Sequence, residues 1–482
     1  MIRLRTITTL WVALATAGCA SGPDYTRPAA PAIDTYTPVP IVLPTPSSTE
    51  PQQVLAIGTQ APEAWWQAFG SADLDQVVER ARAASPTVES ARAVLAEARE
   101  TLRASRGAYL PQVDLGASAT RQNRGVGQSG AATSALHAET VLGVGPVVTF
   151  PLDVFGGTRR QVEQRAALVE FQRYQLAAAT LALTGNVVTQ AVQVASTTEQ
   201  LAAVAEIVAI DSHTVELAQI SAQAGKGAQL DVLSATSQLA SDRALLPPLR
   251  QQRDVAAHAL GVLVGVPPGQ WMPPDFTLRQ LALPASLPVS LPSVLVRRRP
   301  DILAAEAQLH ASNAQIGIAA AQMYPSLTLD GSWSRQSTRG LGILDTSVNL
   351  WSLAANLTAP VFHGGALSAQ KRAAVDAYAS QLALYRQVVL QAFGQVADIL
   401  DALQHDSEAL AAEREALDAA QASLNLTTEG YQAGQASFVQ VLDAQRLYQQ
   451  ARLGYARLRG QQYLDTVLLY VAMGGTSAHD SP

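Results

Sequence analysis

Two stretches of the 482-residue chain share one spacing, and together they predict its architecture. Residues 187–215 read VVTQAVQVASTTEQLAAVAEIVAIDSHTV, and residues 396–424 read VADILDALQHDSEALAAEREALDAAQASL. An apolar residue returns at every seventh position: Val187, Val194, Leu201, Val208 and Val215 in the first stretch, and Val396, Leu403, Leu410, Leu417 and Leu424 in the second. Such spacing keeps one helix face against a neighbouring helix and predicts left-handed supercoiling. The constant offset of 209 residues between the two series indicates an internal repeat.

Short motifs extend this repeat on both sides of the helices. Three pairs of motifs correspond: Tyr109-Leu110-Pro111 with Met323-Tyr324-Pro325, Gly156-Gly157 with Gly364-Gly365, and Ala224-Gly225 with Ala433-Gly434. A helix from each Gly-Gly pair to the later glycine would be on the order of 100 Å long. A helical pattern returns after that glycine, so each copy is predicted to form a long helical hairpin. Pro247-Pro248 should interrupt the return helix of the first copy only.

Between the proline motifs the apolar spacing changes from seven residues to two. It predicts strands at about residues 112–122 and 140–151 in the first copy, and 326–336 and 349–361 in the second. Segments of about ten residues with one apolar face are typical of transmembrane β-barrels. Four strands cannot close a barrel, and an open edge is not tolerated in lipid, so closure requires several chains. The alternative is a pair of soluble hairpins packed on the helices.

These patterns divide the chain into six segments. We predict a signal peptide (1–18), a lipidated Pro-rich tether (19–72), a first repeat (73–265) with a helical hairpin at about 157–264, a Pro-rich linker (266–300), a second repeat (301–474) with a hairpin at about 365–473, and a C-terminal tail (475–482).

The amino terminus predicts export and lipidation. The apolar run at residues 7–17 is too short to span a bilayer, which is typical of a secretory signal. The sole cysteine, Cys19, follows it after two small residues and resembles the lipid-bearing first residue of bacterial lipoproteins. Thr16 stands where that motif usually has Leu, and Ala20 fits sorting to the outer membrane. The alternative is an ordinary signal peptide with an incidental cysteine.

The composition argues against a catalytic or nucleic-acid-binding protein. One cysteine excludes a disulfide scaffold and a multi-cysteine zinc site, and a net charge of −6 gives no reason to expect nucleic acid. The seven histidines lie outside metal-ligand spacing of one another, and Lys226 lies in Ala-Gly-Lys-Gly, which is not a Walker sequence. We therefore predict no enzyme activity, no cofactor and no metal.

Several longer motifs connect the chain to a known family. They are Leu291-Pro292-Ser293-Val294-Leu295-Val296-Arg297-Arg298-Arg299-Pro300-Asp301-Ile302, Tyr324-Pro325-Ser326-Leu327, Pro360-Val361-Phe362-His363-Gly364-Gly365, Tyr431-Gln432-Ala433-Gly434 and Val441-Leu442-Asp443-Ala444-Gln445. With them the chain resembles the TolC/OprM-type outer membrane efflux proteins, in their lipoprotein (NodT-like) branch. The resemblance implies a mostly α fold with a membrane β-barrel, built from two tandem repeats of helix, β-hairpin and long helical hairpin. Three such chains would form a twelve-stranded β-barrel and a periplasmic α-helical barrel.

The resemblance also implies a function. It is that of a passive, homotrimeric conduit for drugs or other small molecules, lipid-anchored in the outer membrane of a Gram-negative bacterium and extending into the periplasm. Its partners would be a periplasmic adaptor (membrane fusion protein) and an inner-membrane efflux pump of RND type, without nucleic acid. A type I secretion outlet or a metal-efflux outlet would have the same fold. A periplasmic coiled-coil scaffold lipoprotein is the alternative from another class.

Candidate site residues lie at the end of the long hairpins. Gly225 and Gly434 fit turns with positive φ, and the resemblance implies that these turns contact the adaptor; the alternative is that either glycine is an ordinary loop residue. Val439 and Asp443 are four residues apart and stack on one helix face, and the constriction of the family, its periplasmic gate, maps onto them. Gln440, acidic in some relatives, and Asp231, in the matching stretch of the first copy, complete the gate set: Val439, Asp443, Gln440 and Asp231. The alternative makes Val439 a core residue and Asp443 a solvated one.

Overall fold

The computed structural model describes residues 21–39, 41, 43, 53–123, 138–337 and 347–474, with residue 139 described by its backbone alone. The predicted signal peptide, Cys19 and the tail at 475–482 lie outside the described residues. The strands are β1 (Val54–Ile57), β2 (Gln112–Asn123), β3 (Ala138–Leu152), β4 (Ser286–Val289), β5 (Ser326–Ser337) and β6 (Val348–Thr358). The helices are α1 (Ala72–Ala84), α2 (Pro86–Arg106), α3 (Gly157–Gln223), α4 (Gln229–Arg243), α5 (Leu246–Leu263), α6 (Pro292–Leu295), α7 (Pro300–Ala321), α8 (Ala366–Gln432) and α9 (Phe438–Ala472).

The chain forms two compact units. The first contains the described residues up to Pro28 together with Leu95–Gln172 and Ala305–Tyr385; the second contains Ala29–Val94, Arg173–Ala304 and the described residues from Arg386 onward. The first unit holds a four-stranded antiparallel sheet in the order β2-β3-β5-β6. β6 ends three residues before the predicted position, at Thr358, because its partner there, Ser326, is the first residue of β5.

The two long arms are α3 and α8, each of 67 residues and therefore about 100 Å long. They contain the two seven-residue series, and Val187 and Val396 at the start of each series are fully buried. The α3 arm begins where the Asp153 carboxylate accepts hydrogen bonds from the backbone N–H groups of Thr158 at 2.9 Å and Arg159 at 2.8 Å. Such a cap satisfies donors that have no partner within the helix.

The return segments differ between the repeats. In the first repeat α4 ends at Arg243 and α5 begins at Leu246, whereas α9 of the second repeat is one helix of 35 residues. Pro247 and Pro248 lie in the first turn of α5, where a missing N–H group costs no helical hydrogen bond. The interruption predicted from these two prolines is confirmed.

An aromatic cluster fills the core of the second unit. Trp65 and Phe69, in a short 3-10 turn, are fully buried, and the Trp65 ring stacks on Tyr470 with 5.5 Å between centroids. The hydroxyl of Tyr463 donates to the carbonyl of Leu281 at 2.9 Å. The segment at 266–300 adds β4, which pairs in parallel with β1, and the buried side chain of Phe276. Among the described residues, no helix combines the length and the apolar character needed to cross a bilayer.

Candidate functional site

The sheet of the first unit has one apolar face. In the single chain the side chains of Leu115 on β2 and Leu353 on β6 are each 78% exposed. The strand register aligns such residues across the sheet, with Trp333 opposite Trp351. A large exposed apolar patch marks a surface that a membrane or another protein covers.

The opposite face of the same sheet is polar. The hydroxyls of Ser332 and Ser352 are 2.9 Å apart, and the Asn356 amide donates to the Asp330 carboxylate at 2.7 Å. An apolar face and a polar face on one sheet suit lipid on one side and water on the other. The two edge strands, β2 and β6, each have one side that pairs with no other described strand of this chain.

The two hairpin turns have the same backbone geometry. Gly225 has φ +70° and Gly434 has φ +75°, and a Cβ atom on either would meet no atom within 4 Å. The N–H of Lys226 reaches back to the carbonyl of Ser221 at 2.9 Å, and the N–H of Gln435 to that of Gly430 at 2.7 Å. These six-to-one bonds are those of a Schellman motif, which uses glycine for its left-handed residue.

Asp231 and Gln440 occupy equivalent positions in the two repeats and make equivalent contacts. The Asp231 carboxylate accepts from the N–H of Ala228 at 3.2 Å, and the Gln440 side-chain oxygen accepts from the N–H of Ser437 at 2.7 Å. Each side chain therefore caps the helix that begins after the turn. Both residues lie at the hairpin tips, where each side chain binds a backbone N–H group at the start of its own helix.

Val439 and Asp443 share an exposed face of α9. Val439 is 64% exposed and the Asp443 side chain 67% exposed in the single chain. Val439 is thus not a core residue of its own chain, in contrast to the alternative weighed from the sequence, whereas Asp443 is solvated in the single chain, as that alternative has it. Asp443 lies 3.3 Å from Arg446, one turn further along the same helix. At this exposure the ion pair contributes little stability, but the Arg446 guanidinium offsets part of the negative charge of Asp443.

An arginine clasp holds the chain two residues after Cys19. Arg160 on α3, with only 4% of its side chain exposed, donates to the carbonyls of Ser21 at 3.1 Å and Gly22 at 3.3 Å and to the Asp24 carboxylate at 2.7 Å. Its remaining nitrogen binds Glu163 at 2.7 Å. We use the name clasp for Arg160 and residues 21–27.

Close packing and further contacts complete the clasp. Gly22 has φ +89°, and a Cβ atom there would lie 2.5 Å from the Cα of Gly317 on α7, so the two backbones touch. The Tyr25 ring stacks on His310 with 4.3 Å between centroids, and Arg27 pairs with Glu306 at 2.6 Å. These contacts fix the segment that follows the predicted lipid-bearing residue against α3 and α7.

Sequence reasoning missed two buried carboxyl pairs in the second unit. One joins Asp211 to Asp242, and the other joins Asp406 to Asp465. A sequence signal for them existed: Asp211 follows Val208 by three residues and Asp406 follows Leu403 by three, so both occupy the second core position of the seven-residue pattern. Among the described residues there is no group of three or more His, Cys, Asp or Glu side chains that could hold a metal ion.

Comparison with known proteins gives consistent matches over most of the chain. The model of the family described as outer membrane efflux protein matches residues 77–266 and 291–475. The pyoverdine export outer membrane protein OpmQ of Pseudomonas aeruginosa is 32% identical over 417 residues, which are 85% of this chain and 87% of OpmQ. The toluene efflux pump outer membrane protein TtgF of Pseudomonas putida is 29% identical and covers 96% of this chain and 95% of its own length.

Solved structures agree with these matches. The outer-membrane channel OprN superposes with a TM-score of 0.84 at 27% identity, over 95% of this chain and 99% of OprN. The CmeC outer membrane channel of Campylobacter jejuni superposes with a TM-score of 0.82 at 18% identity, which is evidence for the fold alone. The fold class, the family resemblance and the outer-membrane localisation predicted from the sequence are thereby confirmed.

Proposed function

Because the chain belongs to the outer membrane efflux protein family, we propose that it is the outer-membrane channel of a tripartite efflux system. It would conduct drugs or other small molecules passively from a periplasmic adaptor and an inner-membrane pump of RND type to the outside, without a catalytic centre of its own. The observation that carries this proposal is the sheet with one apolar and one polar face and two edge strands, since only a closed assembly can place such a sheet in lipid. The names of relatives such as TtgF and OpmQ, which refer to toluene efflux and pyoverdine export, support small organic molecules as the cargo class.

The efflux test uses the native host with this gene deleted. Accumulation of a fluorescent pump substrate such as Nile red should rise in the deletion strain and return to the wild-type level on complementation. A matched pair of variants controls for membrane insertion: Leu353→Asp puts a charge on the apolar face, and Ser352→Asp puts one on the polar face. Only Leu353→Asp should abolish complementation. Unchanged dye accumulation in the deletion strain would contradict a role in small-molecule efflux and leave a type I secretion or metal-efflux outlet as the alternative.

The proposed assembly is a homotrimer. The four-stranded sheet of each chain and the fold that the chain shares with OprN support a barrel closed by three chains. In it, β2 of one chain would lie beside β6 of the next. Native mass measurement in detergent should give three chains. A stable monomer that retains its strand content would contradict the assembly and favour a periplasmic scaffold.

Anchoring by Cys19 is the second part of the proposed architecture. The clasp holds Ser21, which follows Cys19 by two residues in the sequence. Acyl chains on Cys19 would insert beside the barrel, and two or three chains anchor firmly. Mass spectrometry of the mature amino terminus should find an acylated Cys19, and Cys19→Ser should reduce targeting more than folding. An unmodified amino terminus at another residue would contradict lipidation.

The hairpin tips would form the periplasmic end of the channel, where the chain contacts the adaptor and closes the channel. The turns at Gly225 and Gly434 would contact the adaptor, and three copies of Val439 and Asp443 would form an apolar ring and an acidic ring. Gln440 and Asp231 would hold these segments through their helix caps. Three carboxylates held close repel one another unless a cation lies between them, so the ring should favour cations.

A further inference from the structure

The first buried carboxyl pair lies between two helices of the first hairpin. Asp211 on α3 is 2% exposed, and Asp242 on α4 is 6% exposed. Each carboxyl group lies within hydrogen-bonding distance of the same donor, the side-chain amide of Gln449. Along α3, Asp211 precedes the turn at Gly225 by a helix length of about 20 Å.

Neutral amides surround this pair instead of cations. The Gln449 amide nitrogen on α9 donates to Asp211 at 3.0 Å and to Asp242 at 2.9 Å. The Gln238 amide nitrogen on α4 donates to Asp242 at 2.8 Å. The pair therefore joins α3, α4 and α9 at one buried point.

The charged groups nearest along these helices have partners elsewhere. Arg243 binds the Ser212 hydroxyl at 3.5 Å, His213 lies 3.7 Å from Glu216, and Glu206 binds Tyr448 at 2.8 Å and Arg452 at 3.3 Å. The one charged group that shifts the pKa of Asp211 is thus the Asp242 carboxyl.

The second pair lies in the other hairpin and is less completely buried, because the Asp406 side chain is half-buried. Asp406 on α8 faces Asp465 on α9, which is 6% exposed. Gln461 donates to Asp465 at 3.0 Å, whereas Asp406 Oδ2 is buried and receives no hydrogen bond from any described donor. The charged neighbours again pair elsewhere: His405 with Glu408 at 3.7 Å and Arg459 with Glu199 at 3.8 Å.

Asp211 and Asp242 share one neutral donor, the Gln449 amide, in a buried site, and two such carboxyl groups are stable together when one of them carries a proton. Two carboxylates would present acceptors to one another, and like charges in a buried site repel strongly. Burial, followed by the nearby carboxyl group of Asp242, raises the pKa of Asp211 from 3.8 to about 8. Burial, followed by the nearby carboxyl group of Asp465, raises the pKa of Asp406 to about 7.

We propose that the pairs Asp211–Asp242 and Asp406–Asp465 are two proton-binding sites, one in each helical hairpin, which hold the helices together when protonated and loosen them when the proton leaves. Each site binds one proton from water at neutral or acidic pH and returns it to water at alkaline pH. Loss of the proton leaves two carboxylates that repel each other.

The sign of the pH dependence follows from the raised pKa values. A carboxyl group whose pKa is higher in the folded than in the unfolded chain binds more protons when folded, so stability falls as pH rises. The stabilisation is complete below the unfolded value of 3.8 and is lost as pH rises through the folded values of about 7 and about 8. The arms of this chain should therefore loosen under mildly alkaline conditions.

Infrared difference spectroscopy of the intact protein in detergent tests protonation directly. The wild type should show a protonated carboxylic-acid C=O band at pH 6 that disappears between pH 6 and 9.5. The double variant Asp211→Asn/Asp406→Asn should lack that band, because an amide cannot titrate. Equal carboxylic-acid bands in the wild type and the double variant at pH 6 would overturn the proposal.

Hydrogen exchange tests the loosening of the helices. After correction for the intrinsic effect of pH, exchange in α4 should be at least tenfold faster at pH 9 than at pH 6 in the wild type. Asp211→Asn removes the carboxyl group whose pKa is raised and places an amide beside Asp242, so its exchange in α4 should not depend on pH between 6 and 9. Asp418→Asn, at an exposed position of α8 with 64% of its side chain accessible, is the control and should behave as the wild type. Wild-type exchange independent of pH, or Asp211→Asn exchange as pH-dependent as the wild type, would overturn the proposed coupling.

Discussion

Replacing Arg160 by Ala should release the segment that follows Cys19. The Arg160 side chain is 4% exposed and binds two backbone carbonyls, those of Ser21 and Gly22, which have no equivalent donor once the guanidinium is gone. A hydrogen bond to a charged group contributes about 1.5–3 kcal/mol. The bonds at 3.1 and 3.3 Å are long, so we take about 1.5 kcal/mol for each. The Asp24 side chain is 91% exposed, and its ion pair adds little.

The expected loss of docking free energy is therefore about 3 kcal/mol, which corresponds to about a 100-fold larger fraction of undocked segment. Chymotrypsin can measure this fraction, because cleavage after Tyr25 requires its ring to leave His310. Proteolysis of a transiently open segment follows its equilibrium population when reclosing is fast. Cleavage after Tyr25 should accelerate about 100-fold in Arg160→Ala, with a product that begins at Thr26.

The neighbouring arginine supplies a matched control. Arg159 is exposed, and its contact to Asp153 uses the backbone N–H, which Ala retains. Arg159→Ala should be cleaved at the wild-type rate. If Arg160→Ala were also cleaved at that rate, the clasp would not hold the segment and the reasoning would be refuted.

Three further predictions concern the tips, the gate and the core. Replacing both Gly225 and Gly434 by Val forces a branched residue to positive φ at about 1–2 kcal/mol or more each, so drug resistance should fall in susceptibility assays while trimer levels remain normal. The double variant Val439→Ala/Asp443→Ala removes both proposed rings, so single-channel conductance in a planar bilayer should rise and cation block should be lost. Phe69→Ala leaves a cavity in the aromatic core and should lower the free energy of unfolding by about 3–5 kcal/mol, measured by denaturant titration.

Each of these variants has a control in the same chain. Gly269→Val places a side chain where no atom lies within 4 Å and φ is not positive, so resistance should be normal. Leu468→Ala removes an exposed apolar side chain of α9 that lies about seven helical turns from Asp443, and it should leave conductance unchanged. Met272→Ala, at an 85% exposed position, should leave stability unchanged. Full resistance in the tip variant, unchanged conductance in the gate variant, or wild-type stability of Phe69→Ala would contradict the respective prediction.

The helices and strands could be predicted because their signals are local and periodic. The seven-residue series marks the arms, and alternation marks strands such as β2, because side-chain spacing in each element is fixed by its backbone geometry. The glycines at the turns were also recognisable, since a left-handed residue at a helix end favours glycine.

The contacts of the clasp could not be predicted in this way. Arg160 is separated from Asp24 by 136 residues, and nothing in either stretch of sequence specifies the other. The buried carboxyl pairs could be predicted only in part. The position of Asp211 in the core spacing was visible, but its partner Asp242 lies on another helix and becomes a neighbour only through packing.

The break between α4 and α5 has a consequence for symmetry. Each chain contributes one return segment that is divided at Ala244–Leu245 and one, α9, that is continuous. The two halves of the duplicated chain are therefore not equivalent. In the proposed trimer, three hairpins would have a continuous return helix and three a divided one, so the symmetry of the helical ring would be threefold and not sixfold. Bending under an even load would then concentrate at the three breaks.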